Sequence, residues 1–303
     1  MSNDVTPRTP YGDDMVQLPH GPQLAIRRAS GAKRPFLLVH GLSSNARLWD
    51  GVARHLADDG HEVVAVDQRG HGLSEQVDDG YTTAQCATDL AVLSRELGFV
   101  GDRAPVVAGQ SWGGNVVLTL AADHHDDAPV AALALVDGGW ISLGDRFATF
   151  DDCWAQLAPG MPQAVPFPEL RQRFGGLFAD FPTDAVEAQL ANITQDGDGN
   201  AVARLTREHH RSILHSLWAD DPRPLFPRVG VPVLLAAAVT DADGAADPTS
   251  GPALAASLLP DSTTSLYIGA HHDLHAQHPR RLATELLALC ARAENASDTE
   301  GQR

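Results

Sequence analysis

The stretch Gly109-Gln110-Ser111-Trp112-Gly113 constrains the fold of this chain more than any other part of its sequence. A short apolar run at 105–108 precedes it and a longer apolar run at 114–122 follows it. The first run predicts a buried strand and the second a buried helix, which places the serine on a sharp turn between them. Glycines suit both sides of such a turn because a Cβ there would clash. The pattern therefore predicts that Ser111 presents an exposed, nucleophilic hydroxyl.

Short apolar segments alternate with helical patterns on both sides of this turn. Fully apolar short strands that alternate with helices indicate an α/β fold, with a mostly parallel central sheet flanked by helices on both faces. An opening hairpin is predicted from residues 15–19 and 23–27. The predicted strands are 36–39, 62–66, 105–108, 131–136, 231–238 and 265–268, and the predicted helices include 48–58, 83–97, 114–122 and 279–293.

Residues 140–228 interrupt this alternation. The segment is rich in proline, phenylalanine and tryptophan and contains no clear apolar strand. We interpret it as an inserted, mainly helical cap over the ends of the strands. The predicted core then comprises residues 1–139 and 229–293, and the polar residues 294–303 are predicted to form a disordered tail.

The charge of the chain is strongly negative. The chain has 22 Lys and Arg residues and 39 Asp and Glu residues, which gives a formal net charge of −17. Such a surface repels nucleic acids and anionic membranes, so a small-molecule substrate is the expected partner of a monomer or homodimer. The three cysteines form no C-x-x-C pair, and the first residues resemble no signal peptide, which is typical of a cytoplasmic protein. No apolar run approaches the ~18–20 residues that span a bilayer.

Further motifs follow other predicted strands in a characteristic order. His40-Gly41 follows the first buried strand, 67–74 reads Asp-Gln-Arg-Gly-His-Gly-Leu-Ser after the second, and Asp241 and His272 follow the last two. With the Ser111 turn, these motifs resemble the α/β-hydrolase superfamily, in its capped, serine-nucleophile, esterase- or lactonase-like branch. The resemblance covers residues 15–293 and implies the α/β-hydrolase fold.

The resemblance implies a catalytic triad of Ser111, Asp241 and His272, in the chain order that this superfamily uses. The histidine would accept the proton of the serine, and the acid would orient the histidine. Other residues remain open for two of these roles. His271, His275 and His278 compete with His272, and Asp243 and Asp137 compete with Asp241.

Backbone amides complete the implied site. The superfamily stabilises its oxyanion with the N–H of the residue after the nucleophile, here Trp112, and with one N–H after the His-Gly motif, here Leu42. His40 and the 67–74 segment are expected to be structural. Such a site requires no organic cofactor and no metal.

The expected activity is hydrolysis of a carboxylic ester or lactone of small to medium, apolar character, through an acyl-enzyme. A C–C bond hydrolase with the same triad is an alternative because Arg146, Arg171 and Arg173 lie in the cap. A proline-iminopeptidase-like amidase, a non-hydrolytic lyase and a ligand receptor on this fold are further alternatives. Epoxide hydrolase and haloalkane dehalogenase activities are disfavoured because serine stands where those enzymes have a nucleophilic aspartate. A zinc site built on His124 and His125, or on the histidines near 272, is likewise disfavoured.

Overall fold

The computed structural model describes residues 12–160, 165–240 and 251–300, apart from the side chains of 297–300. Among these residues, no helix is both long and apolar enough to cross a membrane. The three cysteines are buried and free.

An eight-stranded sheet forms the centre of the molecule, with strands in the order β1-β2-β4-β3-β5-β6-β9-β10. β1 and β2 form an antiparallel hairpin, β2 pairs antiparallel with β4, and all later neighbours pair in parallel. This is the mostly parallel sheet that the sequence predicts, with the predicted hairpin at one edge. The strands are β1 Gly12–Gln17, β2 Gln23–Ala29, β3 Lys33–Val39, β4 His61–Val66, β5 Val106–Gln110, β6 Ala132–Val136, β9 Val233–Val239 and β10 Ser262–Ile268, and the cap contributes β7 Ile193–Gln195 and β8 Ala201–Ala203.

Helices cover both faces of the sheet and bury two apolar cores. One core packs α2 and α3 on side chains such as Leu37 and Val39, and the other packs α1 and the last helix on side chains such as Phe36 and Leu38. Successive side chains of a strand point to opposite faces, so β3 serves both cores and has to be apolar throughout its buried part. The helices are α1 Asp50–Asp58, α2 Thr83–Glu96, α3 Trp112–Asp123, α4 Phe150–Leu157, α5 Phe167–Leu177, α6 Thr183–Leu190, α7 Arg207–Ala219, α8 Gly251–Leu258, α9 Leu274–Gln277 and α10 Pro279–Glu300.

Between β6 and β9, the described residues form the α-helices α4 to α7, two short 3-10 helices and the two-stranded β7–β8 hairpin. Helices α5 and α6 share a small apolar core with Leu48 and Ala276, which lie in segments that follow β3 and β10. The carboxyl ends of parallel strands lie on one edge of the sheet, so this contact places α5 and α6 beside that edge.

The last helix is longer than the sequence predicts. The polar composition after residue 293 predicts a disordered tail, but α10 continues to Glu300. Residues 301–303 lie outside the described part of the chain. Strong helix formers at 294 and 296 allow the helix to continue without apolar packing.

Two glycines provide a test of the close packing around the strand-to-helix turn. A Cβ on Gly113 would lie 2.3 Å from the carbonyl oxygen of His40, whereas a Cβ on Gly175 in α5 would meet nothing within 4 Å. We expect Gly113→Ala to lower the free energy of unfolding by about 2–3 kcal/mol, because backbone atoms would have to move.

The control Gly175→Ala should raise the free energy of unfolding by about 0.5–1 kcal/mol, since alanine is the better helix former. Urea denaturation of the three proteins would measure both changes. Equal stabilities of Gly113→Ala and the wild type would contradict the packing described here.

Candidate active site

Ser111 occupies the turn between β5 and α3 in a backbone conformation that non-glycine residues rarely adopt. Its φ is 53° and its ψ is −125°. The turn is held by hydrogen bonds from Ser111 N to the carbonyl of Val136 (2.9 Å) and from Gly114 N to the carbonyl of Ser111 (2.8 Å). Such strained backbone costs on the order of 1–3 kcal/mol and persists only where surrounding structure enforces it. A sharp strand-to-helix turn at Ser111 is what the sequence pattern predicts.

Two more glycines allow the neighbouring loops to reach Ser111. A Cβ on Gly41 would lie 2.9 Å from the Cβ of Ser111, and a Cβ on Gly138 would lie 2.0 Å from its carbonyl oxygen. These glycines follow β3 and β6, the two strands beside β5. The loops after three adjacent strands therefore converge on the serine.

His272 lies in the loop after β10 and is held by groups from the centre of the sheet. Its Nδ1 is 2.6 Å from Oδ2 of Asp137, and its carbonyl accepts a hydrogen bond of 3.2 Å from Nε2 of Gln110. Gln110 precedes Ser111, and Asp137 precedes Gly138, which touches Ser111. These contacts bring His272, Asp137 and Ser111 to the same edge of the sheet.

Asp137 follows β6 with a φ of 45°. Its backbone N–H donates to the carbonyl of Ala236 (2.7 Å), and its Oδ1 accepts from the N–H of Ala238 (3.0 Å). The other carboxylate oxygen is thereby turned toward His272. Asp137 is thus the carboxylate that meets this imidazole among the described residues.

The pKa of His272 reflects two opposing effects. Burial lowers it, but the hydrogen bond and the negative charge of Asp137 outweigh burial and raise the pKa above its usual value, with a further contribution from Asp273. The side chain of His272 remains 51% exposed, so a substrate can reach it. An imidazole that carries its proton on Nδ1 leaves Nε2 as the acceptor for a nucleophile.

Asp241 and Asp243, two of the acids that the sequence leaves open, lie outside the described residues. The three rival histidines have other contacts. His271 packs against Phe178 and Phe181, His275 is fully buried against Trp49, and His278 stacks near Tyr267.

The backbone amides of Leu42 and Trp112 flank Ser111. Leu42 follows Gly41, and Trp112 is the first residue of α3, whose N-terminal amides carry the positive end of the helix dipole. Within the described residues, neither N–H donates to a protein group, so both can donate to a substrate oxygen.

Two buried histidines fix the loop that contains Leu42. His40 donates from Nδ1 to the carbonyl of Gly41 (2.7 Å) and accepts at Nε2 from the N–H of Gln68 (3.0 Å). His71 accepts at Nε2 from the N–H of Ser43 (3.3 Å). Burial lowers the pKa of His40 to about 4 and that of His71 well below its usual range, so both remain neutral supports.

The sequence model of the alpha/beta hydrolase fold family matches residues 34–279 of this chain. The chain belongs to this family. The fold expected from the motifs around Ser111 is therefore confirmed.

Curated relatives of this hydrolase have several activities. A 2-(acetamidomethylene)succinate hydrolase of Mesorhizobium japonicum is 26% identical over 206 residues, which cover 66% of this chain and 71% of the relative. A non-heme chloroperoxidase of Streptomyces lividans is 27% identical over 272 residues, which cover 84% of this chain and 91% of the relative. These relatives show a shared family but not a shared substrate.

Solved structures resemble the hydrolase over nearly its whole length. The crystal structure of E-2-(acetamidomethylene)succinate hydrolase superposes with a TM-score of 0.74 at 22% identity and covers 92% of this chain and 98% of its own. An esterase of M. tuberculosis superposes with a TM-score of 0.69 at 22% identity, over 92% and 91% of the two chains. At such identities the similarity shows the fold alone.

Sequence reasoning about the hydrolase missed the residues that hold its catalytic segments. Gln110 is the variable position of the serine motif and gives no signal of its own. Gln189 of α6 donates to Asp273 (2.7 Å), across 84 positions of sequence. Contacts between such distant residues carry no local pattern.

No group of three His, Cys, Asp or Glu side chains able to hold a metal occurs in the described part of the hydrolase. His124 and His125, weighed from the sequence as metal ligands, instead lie 3.5 Å and 3.4 Å from the carboxylates of Asp127 and Asp126.

The substitution Asp137→Asn tests the electrostatics of His272. Without the carboxylate, burial outweighs the remaining favourable charge, so the pKa of His272 should fall. NMR titration of the His272 imidazole, assigned with a His272→Gln variant, would measure the change. The control Asp273→Asn should lower the pKa by less, because Asp273 is the smaller contributor. An unchanged pKa in Asp137→Asn would contradict the pairing.

Proposed function

We propose that this hydrolase cleaves a carboxylic ester or lactone of small to medium, largely apolar character through a covalent acyl-enzyme. Ser111 is the nucleophile, His272 the general base and Asp137 the orienting acid of this proposal. The observation that supports this proposal is the distance of 2.6 Å between Nδ1 of His272 and Oδ2 of Asp137. Asp137 directly precedes Gly138, which lies against Ser111. Asp137 takes the role that the sequence assigns first to Asp241, because Nδ1 has one proton to donate and Asp137 already accepts it.

The reaction proceeds in two halves. His272 removes the proton of Ser111 as Oγ attacks the ester carbonyl, and the amides of Leu42 and Trp112 donate to the oxyanion. His272 then protonates the leaving alkoxide. It next activates a water molecule that attacks the acyl-enzyme and releases the acid and free Ser111.

Within the described part of the chain, the Oγ of Ser111 makes no hydrogen bond to a protein group, which leaves it able to meet a substrate. Catalytic hydrogen bonds of free enzymes are often loose and tighten when substrate binds. The contact between Ser111 and His272 in this proposal forms at that stage.

The wall beside the proposed oxyanion site supports an apolar substrate. Leu42 packs against an apolar cluster of the cap, to which Trp154 and Leu157 of α4 also belong. Large apolar surfaces with a few placed polar groups are typical of small-molecule sites. The buried members of this cluster are Phe147, Phe150, Cys153 and Leu214.

A C–C bond hydrolase of this fold is expected to need basic side chains near its acidic substrate. The three cap arginines that raised this alternative are held elsewhere. Arg146 lies over the ring of Phe147 (5.2 Å), and the other two, Arg171 and Arg173, form ion pairs within α5 and α6, with Glu187 and Glu169. These contacts remove the three arginines on which the C–C alternative was based.

Activity with p-nitrophenyl esters of graded acyl length tests the proposal. The wild type should hydrolyse these esters and react with a fluorophosphonate probe. Ser111→Ala should lower kcat by about 10⁶-fold and abolish labelling, because the nucleophile is gone. Turnover that persists in Ser111→Ala, or a wild type with neither turnover nor labelling, would refute an acyl-enzyme at Ser111.

The identity of the acid is tested by three matched substitutions of aspartate with asparagine. Asp137→Asn should lower kcat by about 10³–10⁴-fold, because the imidazole loses the group that orients and stabilises it. Asp241→Asn and Asp243→Asn should each remain within about threefold of the wild type. A loss of the larger size in Asp241→Asn alone would return the role to that residue.

A further inference from the structure

The loop that carries His272 is contacted by the cap at several points. Phe178 and Phe181, in the connection between α5 and α6, place their rings edge-on against His271 at centroid distances of 5.6 and 5.4 Å. Both phenylalanines are buried. His271, the residue directly before the catalytic histidine, thus contributes to an aromatic cluster of the cap.

Polar contacts reinforce this docking on the other side of His272. Gln189 of α6, which is 91% buried, donates from Nε2 to Oδ2 of Asp273 (2.7 Å). Gln277 donates to the carboxylate of Asp180 in the cap, and its own Oε1 accepts from the N–H of His271 (2.8 Å). Both neighbours of His272 in sequence are therefore tied, directly or through Gln277, to α5, α6 or their connection.

A hydrogen bond also joins two residues within the loop. The N–H of Asp273 donates to Nδ1 of His271 (3.1 Å). Beneath the loop, Gln110 donates to the carbonyl of His272, and the Nδ1 of His272 donates to Asp137. His272 therefore lies between fixed groups of the sheet below and a set of contacts from the cap above.

We propose that His271 and Gln189 are positioning residues, through which helices α5 and α6 hold His272 in line with Ser111 and Asp137. The inference rests on the proposed role of His272 and extends it, because it makes catalytic alignment depend on the docking of the cap. Neither side chain touches the reacting atoms. Each acts through its contact with the loop.

Several charged and titratable groups adjoin His272, and they affect how the kinetics of a His271 or Gln189 variant are interpreted. Asp137 faces the imidazole from the end of β6, Asp273 and His271 adjoin it in the loop, and His275 lies behind it in α9. Gln189 holds the carboxylate of Asp273 toward the cap. Loss of Gln189 therefore releases both the loop and the carboxylate of Asp273 from the cap.

The experiment compares His271→Ala and Gln189→Leu with the control Arg171→Gln. The control removes an exposed ion pair between the same two helices, Arg171 to Glu187 at 2.6 Å, without touching the loop. The readouts are kcat and KM with p-nitrophenyl butyrate, the pH dependence of kcat, the rate of fluorophosphonate labelling, and hydrogen exchange of the segment 270–278.

Both His271→Ala and Gln189→Leu should lower kcat and the labelling rate by about tenfold, because misplacement of a catalytic group by a fraction of an ångström has such an effect. KM should remain within about threefold, since the ester pocket is unchanged. The acid limb of the pH profile of kcat should shift, and the backbone amides of residues 270–278 should exchange faster. The control Arg171→Gln should match the wild type in every readout.

His271→Phe provides a rescue. It retains a ring against Phe178 and Phe181, so kcat should return to within about threefold of the wild type. Rates as low as those of His271→Ala would overturn the role of the aromatic contact. Melting curves of all variants establish that each is folded.

Other outcomes separate this inference from the proposed function. Faster exchange with unchanged kcat would show a structural contact only and would overturn the inference. So would equal losses in Arg171→Gln. A wild type without turnover or labelling would refute the proposed function and this inference together, whereas an active wild type with unaltered variants refutes the inference alone.

Discussion

The left-handed backbone of Ser111 is the constraint on which the rest of the site depends. A residue with φ near 53° between a strand and a helix can exist only if neighbouring backbones approach without side chains in the way. Glycines meet this need at 41 and 138 from adjacent loops and at 109 and 113 within the motif. The buried strands around β5 hold these backbones rigidly, so the sheet bears the cost of the strained turn.

The same convergence explains why the proposed catalytic groups, from distant parts of the sequence, lie at one edge of the sheet. In a parallel sheet the carboxyl ends of all strands lie on one edge, and each loop can contribute one group there. β3 supplies the amide of Leu42, β5 the serine, β6 the carboxylate of Asp137 and β10 the imidazole of His272. The segment between β6 and β9 adds contacts to the loop that carries His272.

Much of this arrangement could be predicted from the sequence. The strands are apolar because they are buried on both faces, and a motif such as Gly-x-Ser-x-Gly has a local geometric cause, so both leave clear local patterns. No local pattern in the sequence decides between Asp137 and Asp241 as the acid. The choice depends on the φ of one residue and on a bond from Ala238 on a neighbouring strand. The polar composition after residue 293 predicts disorder and carries no signal of the helix that continues to Glu300.

The anchorage of Asp137 has a consequence for how this chain can diversify. Its carboxylate is braced by the backbone of β9, so the acid sits on the rigid frame rather than on the connection after that strand. With Asp137 as the acid, proton transfer requires no side chain from the connection between β9 and α8. Changes of sequence there would then leave the proton transfer intact, because connections on a rigid frame tolerate such changes.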